Sequence, residues 1–317
     1  MEKLKIAITD CDHDNNDIEN KVVSDAGFEL TVFQCKTPEE VIENCKGVNA
    51  VINQYVPMTE KVFEALPDLK LIVRYGVGVN NVDLAAASKH GVQVCNVPDY
   101  GMNEVADQAL AMMLSLTRKV AFNNKLVREG TWDYAKSIPI FRHGVQTIGV
   151  VGLGRIGKEF AKRVHALGSR VIACDPVSGV IPEYVEMVSF EELVKTSDII
   201  SIHCPADNNI DMFDEKEFDQ MKDTAYLINV SRGGIINEAA LNNALENNKI
   251  AGAALDVAVQ EPIDTNSPLL KHENFLISPH MAWYSEESAL ELKRKVAEEA
   301  VRFSKGEKVH YPVNKLS

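Results

Sequence analysis

Short apolar runs alternate with longer stretches whose apolar residues recur every three or four positions, and this alternation continues along the whole chain. The runs Lys5–Thr9, Ala50–Asn53, Leu71–Arg74 and Val92–Asn96 read as strands, as do Thr147–Val151, Val171–Cys174, Ile199–His203, Tyr226–Val230, Ala253–Val257 and Phe275–Ser278. They are nearly continuous in apolar residues, the mark of strands covered on both faces. Strands alternating with amphipathic helices predict an α/β fold built on parallel sheets. The runs fall into two groups, before and after about residue 98, where Pro98 and Gly101 break the pattern. A helix rich in Ala, Met and Leu is predicted over Met102–Thr117.

Helix boundaries carry their own signals. Ser189 with Glu192 predicts a capping box. Ser285, followed by Glu286 and Glu287, suits a helix start, and Gly306 suits a C′ position. Between them Ala289, Leu292, Val296, Ala300 and Phe303 form one apolar stripe, the face of a helix packed on a core.

Composition narrows the class. The chain has 317 residues, 45% hydrophobic and 25% charged, enough for about two domains and far from the composition of disordered or fibrous chains. The formal net charge of −13, with no basic run, argues against a nucleic-acid partner. No stretch approaches the about 18 apolar residues of a membrane span. MEKLKIAITD is too polar for a secretory signal, and six cysteines without a CxxC spacing suit free thiols, so a cytoplasmic location is expected.

The run Thr147–Val151 leads into Gly152-Leu153-Gly154-Arg155-Ile156-Gly157, a GxGxxG, and then into a helix with Ile156, Phe160, Val164 and Leu167 on one face. Such a loop turns tightly at its first glycine and admits a pyrophosphate at its second. The third lets helix and strand pack closely, while the helix amides face the phosphates. Asp175 ends the next strand, 18 residues after Gly157, where a carboxylate accepts hydrogen bonds from the adenosine ribose. Pro176 and Val177 follow, with no Arg to receive a 2′-phosphate, so NAD is expected rather than NADP.

In an open parallel sheet the ligand crevice lies beyond the carboxyl ends of the strands. There the chain places Arg74-Tyr75-Gly76-Val77-Gly78, Ser231-Arg232, Gln260-Glu261 and Pro279-His280. A cation, a carboxylate, an imidazole and flexible backbone amides are what hydride transfer between a nicotinamide and a carbonyl needs. Taken singly, an Arg, Glu or His near a strand end, as at Arg232, Glu261 and His280, is more often a surface or packing residue. The remaining histidines show no metal spacing, so no metal is expected.

Six ordered segments then give a resemblance: RYGVGVNNVD (Arg74–Asp83), NVPDYGMNEVADQAL (Asn96–Leu110), TIGVVGLGRIG (Thr147–Gly157), INVSRGGIINEAAL (Ile228–Leu241), AALDVAVQEP (Ala253–Pro262) and SPHMAWYSEES (Ser278–Ser288). The chain resembles the D-isomer-specific 2-hydroxyacid dehydrogenases from Lys5 to about Val313. The resemblance implies hydride transfer between NAD(H) and a small 2-keto or R-2-hydroxy acid. It implies His280 as acid and base, Glu261 paired with it, and Arg232 on the substrate carboxylate. The amides of Tyr75, Gly76, Val77 and Gly78 would hold that carboxylate too. Asp256 would bind the nicotinamide carboxamide, Val230 and Ser231 would line the ring, and His203, Cys204 and Pro205 would lie along the adenosine side. The implied fold is a Rossmann-type doubly wound coenzyme domain, residues 98–284. It is inserted in a smaller flavodoxin-like α/β substrate domain, residues 1–97 plus 285–317. A homodimer through the coenzyme domain, with Met102–Thr117 as a main contact, is implied as well.

Ala282-Trp283-Tyr284-Ser285-Glu286 and Arg74 resemble the branch containing the C-terminal-binding proteins. There Arg74 would help hold the substrate carboxylate and Trp283 would wall the side-chain pocket. The same branch offers the alternative of an NAD-responsive corepressor-like scaffold with little catalysis. The chain departs from the family pattern at Ala258–Pro262, which lacks an aromatic, at Pro205–Phe213 and at Asn80. No cation stands in the Gln54–Thr59 loop to favour a phosphorylated substrate.

Overall fold

A computed structural model describes residues 4–177 and 179–316. The chain divides into two compact units, Met1–Gly101 with Ser285–Ser317, and Met102–Tyr284. The first unit begins with β1 (Ile6–Ile8), α1 (Asp17–Asp25), β2 (Leu30–Val32) and α2 (Pro38–Asn44). It continues through β3 (Ala50–Asn53), α3 (Glu60–Ala65), β4 (Leu71–Arg74), α4 (Leu84–Lys89) and β5 (Gln93–Cys95). Its five strands are all parallel, in the order β2-β1-β3-β4-β5. That is the flavodoxin-type winding. Val41, Val51, Phe63, Ile72 and Val94 are among the buried residues that fill one side of this sheet.

The second unit runs through α5 (Met102–Thr117), α6 (Val120–Arg128), β6 (Thr147–Val151), α7 (Arg155–Ala166), β7 (Arg170–Cys174) and β8 (Val185–Met187). Then come α8 (Phe190–Thr196), β9 (Ile199–Ile202), α9 (Glu215–Gln220), β10 (Tyr226–Asn229), α10 (Glu238–Glu246), β11 (Gly252–Leu255) and β12 (Phe275–Ile277). Its seven parallel strands stand in the order β12-β11-β10-β9-β6-β7-β8. Winding goes from β6 outward to β8, then returns to β9 and proceeds the other way. The reversal between β6 and β9 is the point where a crevice opens at the carboxyl ends. Two apolar layers cover this sheet, one around Leu227, Ile200 and Phe213, the other around Ile148, Phe160 and Met113.

The chain ends in the first unit with α11 (Glu286–Ser304), whose buried face includes Leu292, Val296 and Ala300. Ser285 and Ser288 cap each other's backbone amides at its start, and Gly306 follows its end with a φ of +74°. At α8, Ser189 accepts the Glu192 amide at 3.1 Å, one half of the box expected there.

Two strands escape the apolar-run pattern. Both β2 and β8 are sheet edges, and each exposes part of its length. An edge strand is covered on fewer sides, so it needs no continuous apolar run. Among the described residues no helix is long and apolar enough to cross a membrane.

Candidate active site

The glycine loop joins β6 to α7 at the winding reversal. Gly152 has a φ of +91°, and a Cβ there would lie 2.7 Å from the Cys204 nitrogen and 2.8 Å from the His203 carbonyl. At Gly157 a Cβ would stand 2.0 Å from the Gly152 carbonyl oxygen, so helix and loop touch backbone to backbone. Gly154, the N-cap of α7, has open space where its Cβ would be. The first-turn amides of α7 have no carbonyl of their own helix to meet, and they face outward beside that space. A dinucleotide pyrophosphate fits this cradle. Arg155, Ile156 and Pro176 lie at its rim, Arg155 and Pro176 exposed.

The Asp175 carboxylate, half-buried at the end of β7, accepts the Leu153 amide and the Val177 amide, each at 2.7 Å. It is thereby aimed by the glycine loop itself. His203 follows β9, and its imidazole packs against Phe160 with ring centroids 5.0 Å apart. Burial drives its pKa down to about 3, so the ring is neutral, and Nε2 meets the Ser201 hydroxyl at 2.8 Å. What His203 offers the loop is its backbone. Burial lifts the Cys204 thiol to about 11, so Cys204 acts as an apolar wall. Pro205 is exposed, its carbonyl taking a hydrogen bond from Asn209.

Beyond β10, Val230 is buried and the Ser231 hydroxyl donates to the Ile202 carbonyl at 2.8 Å. Arg232 has extended backbone, its own carbonyl held by the Asn229 side chain at 2.7 Å. Beyond β11 comes Asp256, 1% exposed. Its carboxylate accepts the Ser278 hydroxyl, the Met281 amide at 3.1 Å and the Ala282 amide at 2.8 Å. Burial raises its pKa, an effect those hydrogen bonds partly offset. Asp256 thus shapes the turn after β12, on which His280 stands.

His280 Nδ1 lies 2.7 Å from Glu261 Oε2, and Glu261 Oε1 accepts the Ala258 amide at 3.0 Å. Burial alone raises the Glu261 pKa. The His280 hydrogen bond, the Ala258 amide and the charges of His280 and Arg232 outweigh it, leaving the carboxyl below its ordinary range. Arg232, Glu261 and His280, 48 residues apart along the chain at their extremes, therefore form one electrostatic group. Trp283 is half-buried and meets Tyr284 edge-on, with ring centroids 5.5 Å apart.

In the first unit the loop after β4 carries Tyr75, Gly76, Val77 and Gly78. The Gly76 carbonyl accepts the Val97 amide at 2.9 Å and the Val77 carbonyl accepts the Asn96 side chain at 2.7 Å. The amides of Gly76, Val77 and Gly78 donate to no acceptor among the described residues. Amides left open while their carbonyls are tied back make a nest for an anion. Arg74 borders it, since a Cβ on Gly76 would fall 2.1 Å from Arg74 Nη1. One strand over, the Tyr55 hydroxyl donates to the Asp12 carboxylate at 2.9 Å. Burial, then that carboxylate, raises the Tyr55 pKa above its ordinary value.

Residues 110–282 match the family model described as D-isomer specific 2-hydroxyacid dehydrogenase, NAD binding domain. The chain belongs to that family. This dehydrogenase is 37% identical over 292 residues to a glyoxylate reductase of Korarchaeum cryptofilum, with 88% of each chain covered. It is 38% identical over 293 residues to a D-3-phosphoglycerate dehydrogenase of Archaeoglobus fulgidus, covering 91% of this chain and 55% of that one. This dehydrogenase thus spans about half the length of the Archaeoglobus relative. A solved D-lactate dehydrogenase of Aquifex aeolicus, complexed with NAD and lactic acid, superposes with a TM-score of 0.85 at 26% identity over 96% of each chain. The parallel α/β fold and NAD as cofactor accord with the sequence reading.

One residue was not legible as a site component. Ser278 was visible only as the last residue of a strand, yet its hydroxyl anchors Asp256. The helix α5 buries Ala106, Ala109, Met112, Met113 and Leu116 in its own unit. Exposed apolar residues lie further on, at Trp132, Tyr134 and Ile138.

Proposed function

We propose that this enzyme reduces a small, unphosphorylated 2-keto acid to the R-2-hydroxy acid with NADH, or runs the reverse reaction. The carrying observation is the His280–Glu261 pair at 2.7 Å, grouped electrostatically with Arg232 at the strand ends. Bound nicotinamide supplies or accepts the hydride at the substrate's C2. With Nδ1 turned to Glu261, the Nε2 edge of His280 is the one that addresses substrate. In reduction it gives its proton to the keto oxygen as the hydride reaches carbon, and in oxidation it takes the hydroxyl proton back. Glu261, held ionised, orients the ring through its hydrogen bond to Nδ1. Arg232 binds the substrate carboxylate and polarises the keto group. Arg74 and the open amides of Gly76–Gly78 are assigned to that carboxylate as well, Trp283 to the substrate side chain, and Asp256, Val230 and Ser231 to the nicotinamide end.

The unphosphorylated class rests on the first unit's loops. The Gln54–Thr59 loop carries no cation, and its Tyr55 is bonded to the Asp12 carboxylate, which repels a second anion. We also assign the exposed apolar residues Trp132, Tyr134 and Ile138 to a homodimer contact.

Steady-state kinetics with NADH and a panel of glyoxylate, pyruvate, hydroxypyruvate and phosphohydroxypyruvate tests the proposal. Turnover of the unphosphorylated acids, with kcat/KM at least tenfold above the phosphorylated one, is the expected result. A preference for the phosphorylated acid overturns the substrate class, and no turnover of any keto acid overturns the reaction.

A further inference from the structure

Glu19, in the first turn of α1, is completely buried. Glutamate is rarely found so deep unless it is paired. Its Oε1 accepts the Tyr75 hydroxyl at 2.7 Å, while Oε2 is shielded and meets no partner among the described residues. Tyr75, 2% exposed, is the first residue after β4, and its amide donates to the Asn53 carbonyl at 2.8 Å. The His13 ring packs edge-on to the Tyr75 ring, with centroids 5.2 Å apart. Lys293 of α11, also buried, donates to the Asn15 carbonyl at 2.8 Å and adds its charge beside His13.

This arrangement is poor value for stability alone. A carboxyl with one oxygen unsatisfied loses water and regains a single hydrogen bond, and an apolar side chain of like size would fill the space more favourably. Yet it grips one atom, the Tyr75 hydroxyl, and Tyr75 leads directly into the open amides. We infer that Glu19 is a positioning residue: by fixing the Tyr75 phenol it sets the direction in which the Gly76–Gly78 amides face an anionic carboxylate. The loop is then held at four places, by the Tyr75 amide to β3, by the Tyr75 hydroxyl to α1, and by the Gly76 and Val77 carbonyls to the segment after β5. The inference rests on the reading of this loop as the substrate carboxylate site.

The test uses Tyr75→Phe, Glu19→Leu and Glu19→Gln in the full chain, with NADH binding by fluorescence and keto-acid kinetics. Tyr75→Phe and Glu19→Leu are expected to raise the keto-acid KM tenfold or more, with kcat within threefold and NADH affinity unchanged. Glu19→Gln, which keeps an acceptor oxygen, is expected to restore KM to within threefold of the parent. If Glu19→Leu does not fold, Tyr75→Phe decides alone. A KM within twofold of the parent for Tyr75→Phe overturns the inference, as does a parallel loss of kcat and NADH affinity. Gly76→Ala separates the two levels, because its Cβ would strike Arg74 Nη1 from a φ of +123°. If Gly76→Ala raises KM and Tyr75→Phe does not, the loop reading stands and the role of Glu19 falls. If neither raises KM, both fall.

Discussion

His280 turns its Nδ1 to Glu261 Oε2 at 2.7 Å from a backbone φ of +53°. A left-handed conformation is uncommon outside glycine and is costly to hold. Here it is held from several sides. The His280 amide donates to the Asp256 carbonyl at 2.8 Å, and the Asp256 carboxylate takes the next two amides of the same turn. The strain therefore sits on the residue whose ring is paired with Glu261.

Replacing His280 with Ala removes the group proposed to carry the proton and leaves the glycine cradle untouched. General acid–base catalysis is worth roughly 10²- to 10⁴-fold, so kcat for keto-acid reduction is expected to fall by about that factor. NADH affinity, read by fluorescence titration, should stay at the parent value. Turnover near the parent rate would remove His280 from the reaction.

Asp256→Asn tests how the turn is held. The carboxylate accepts from a hydroxyl and two amides, while an amide side chain must turn a donor toward at least one of them. The expected cost is about 1–3 kcal/mol of stability, seen as a lower Tm, for one buried donor left unmet. A drop in kcat should accompany it, because the His280 turn loosens. An unchanged Tm with unchanged kcat would show that the turn stands without the carboxylate.

The pH dependence of Glu261 has a definite sign. Its folded pKa lies below the ordinary value of about 4.3, so the group adds stability above that pH and loses it as pH falls through the folded value. Thermal unfolding of the parent and of Glu261→Gln is therefore expected to differ most at neutral pH and to converge in acid, below about pH 4. Since both side chains of the pair are about two-fifths exposed, the neutral-pH gap should be small and should shrink with salt. A gap that widens on acidification would reverse the sign assigned to this carboxyl.

The sheets, the glycine loop and the placement of Arg232, Glu261 and His280 after strands were legible because each follows from a local rule. Buried parallel strands must be apolar throughout, a phosphate turn must be glycine-rich, and ligand-facing groups must follow strands. What stayed hidden depends on distant partners or on exposure. The strands β2 and β8 are edges and carry no apolar run. Glu19 lies within a polar stretch, DIENK, and its partner Tyr75 is 56 residues away. Asp256 reads as a strand-end acid, and nothing local says that its oxygens shape a turn 25 residues further on. His280 adopts positive φ because of that same remote contact, so no residue preference announces it.

We assign coenzyme choice to Asp175. Its carboxylate is fixed by the Leu153 and Val177 amides at 2.7 Å, so it cannot swing away from a ligand in the cradle. One lone pair on each oxygen is engaged in this way, and the others are available to ribose hydroxyls. A 2′-phosphate would bring about two negative charges against a fixed carboxylate, with only Pro176 and Val177 following it in the chain. Asp175→Ala removes both the acceptor and the repulsion. NADH affinity is then expected to fall and NADPH affinity to rise, shifting the ratio of their kcat/KM values by at least tenfold, about 1.4 kcal/mol. Because Asp175 also closes the glycine loop through Leu153, a smaller loss common to both coenzymes should overlie that shift. A loss equal for the two, with discrimination unchanged, would leave Asp175 as a loop anchor and nothing more.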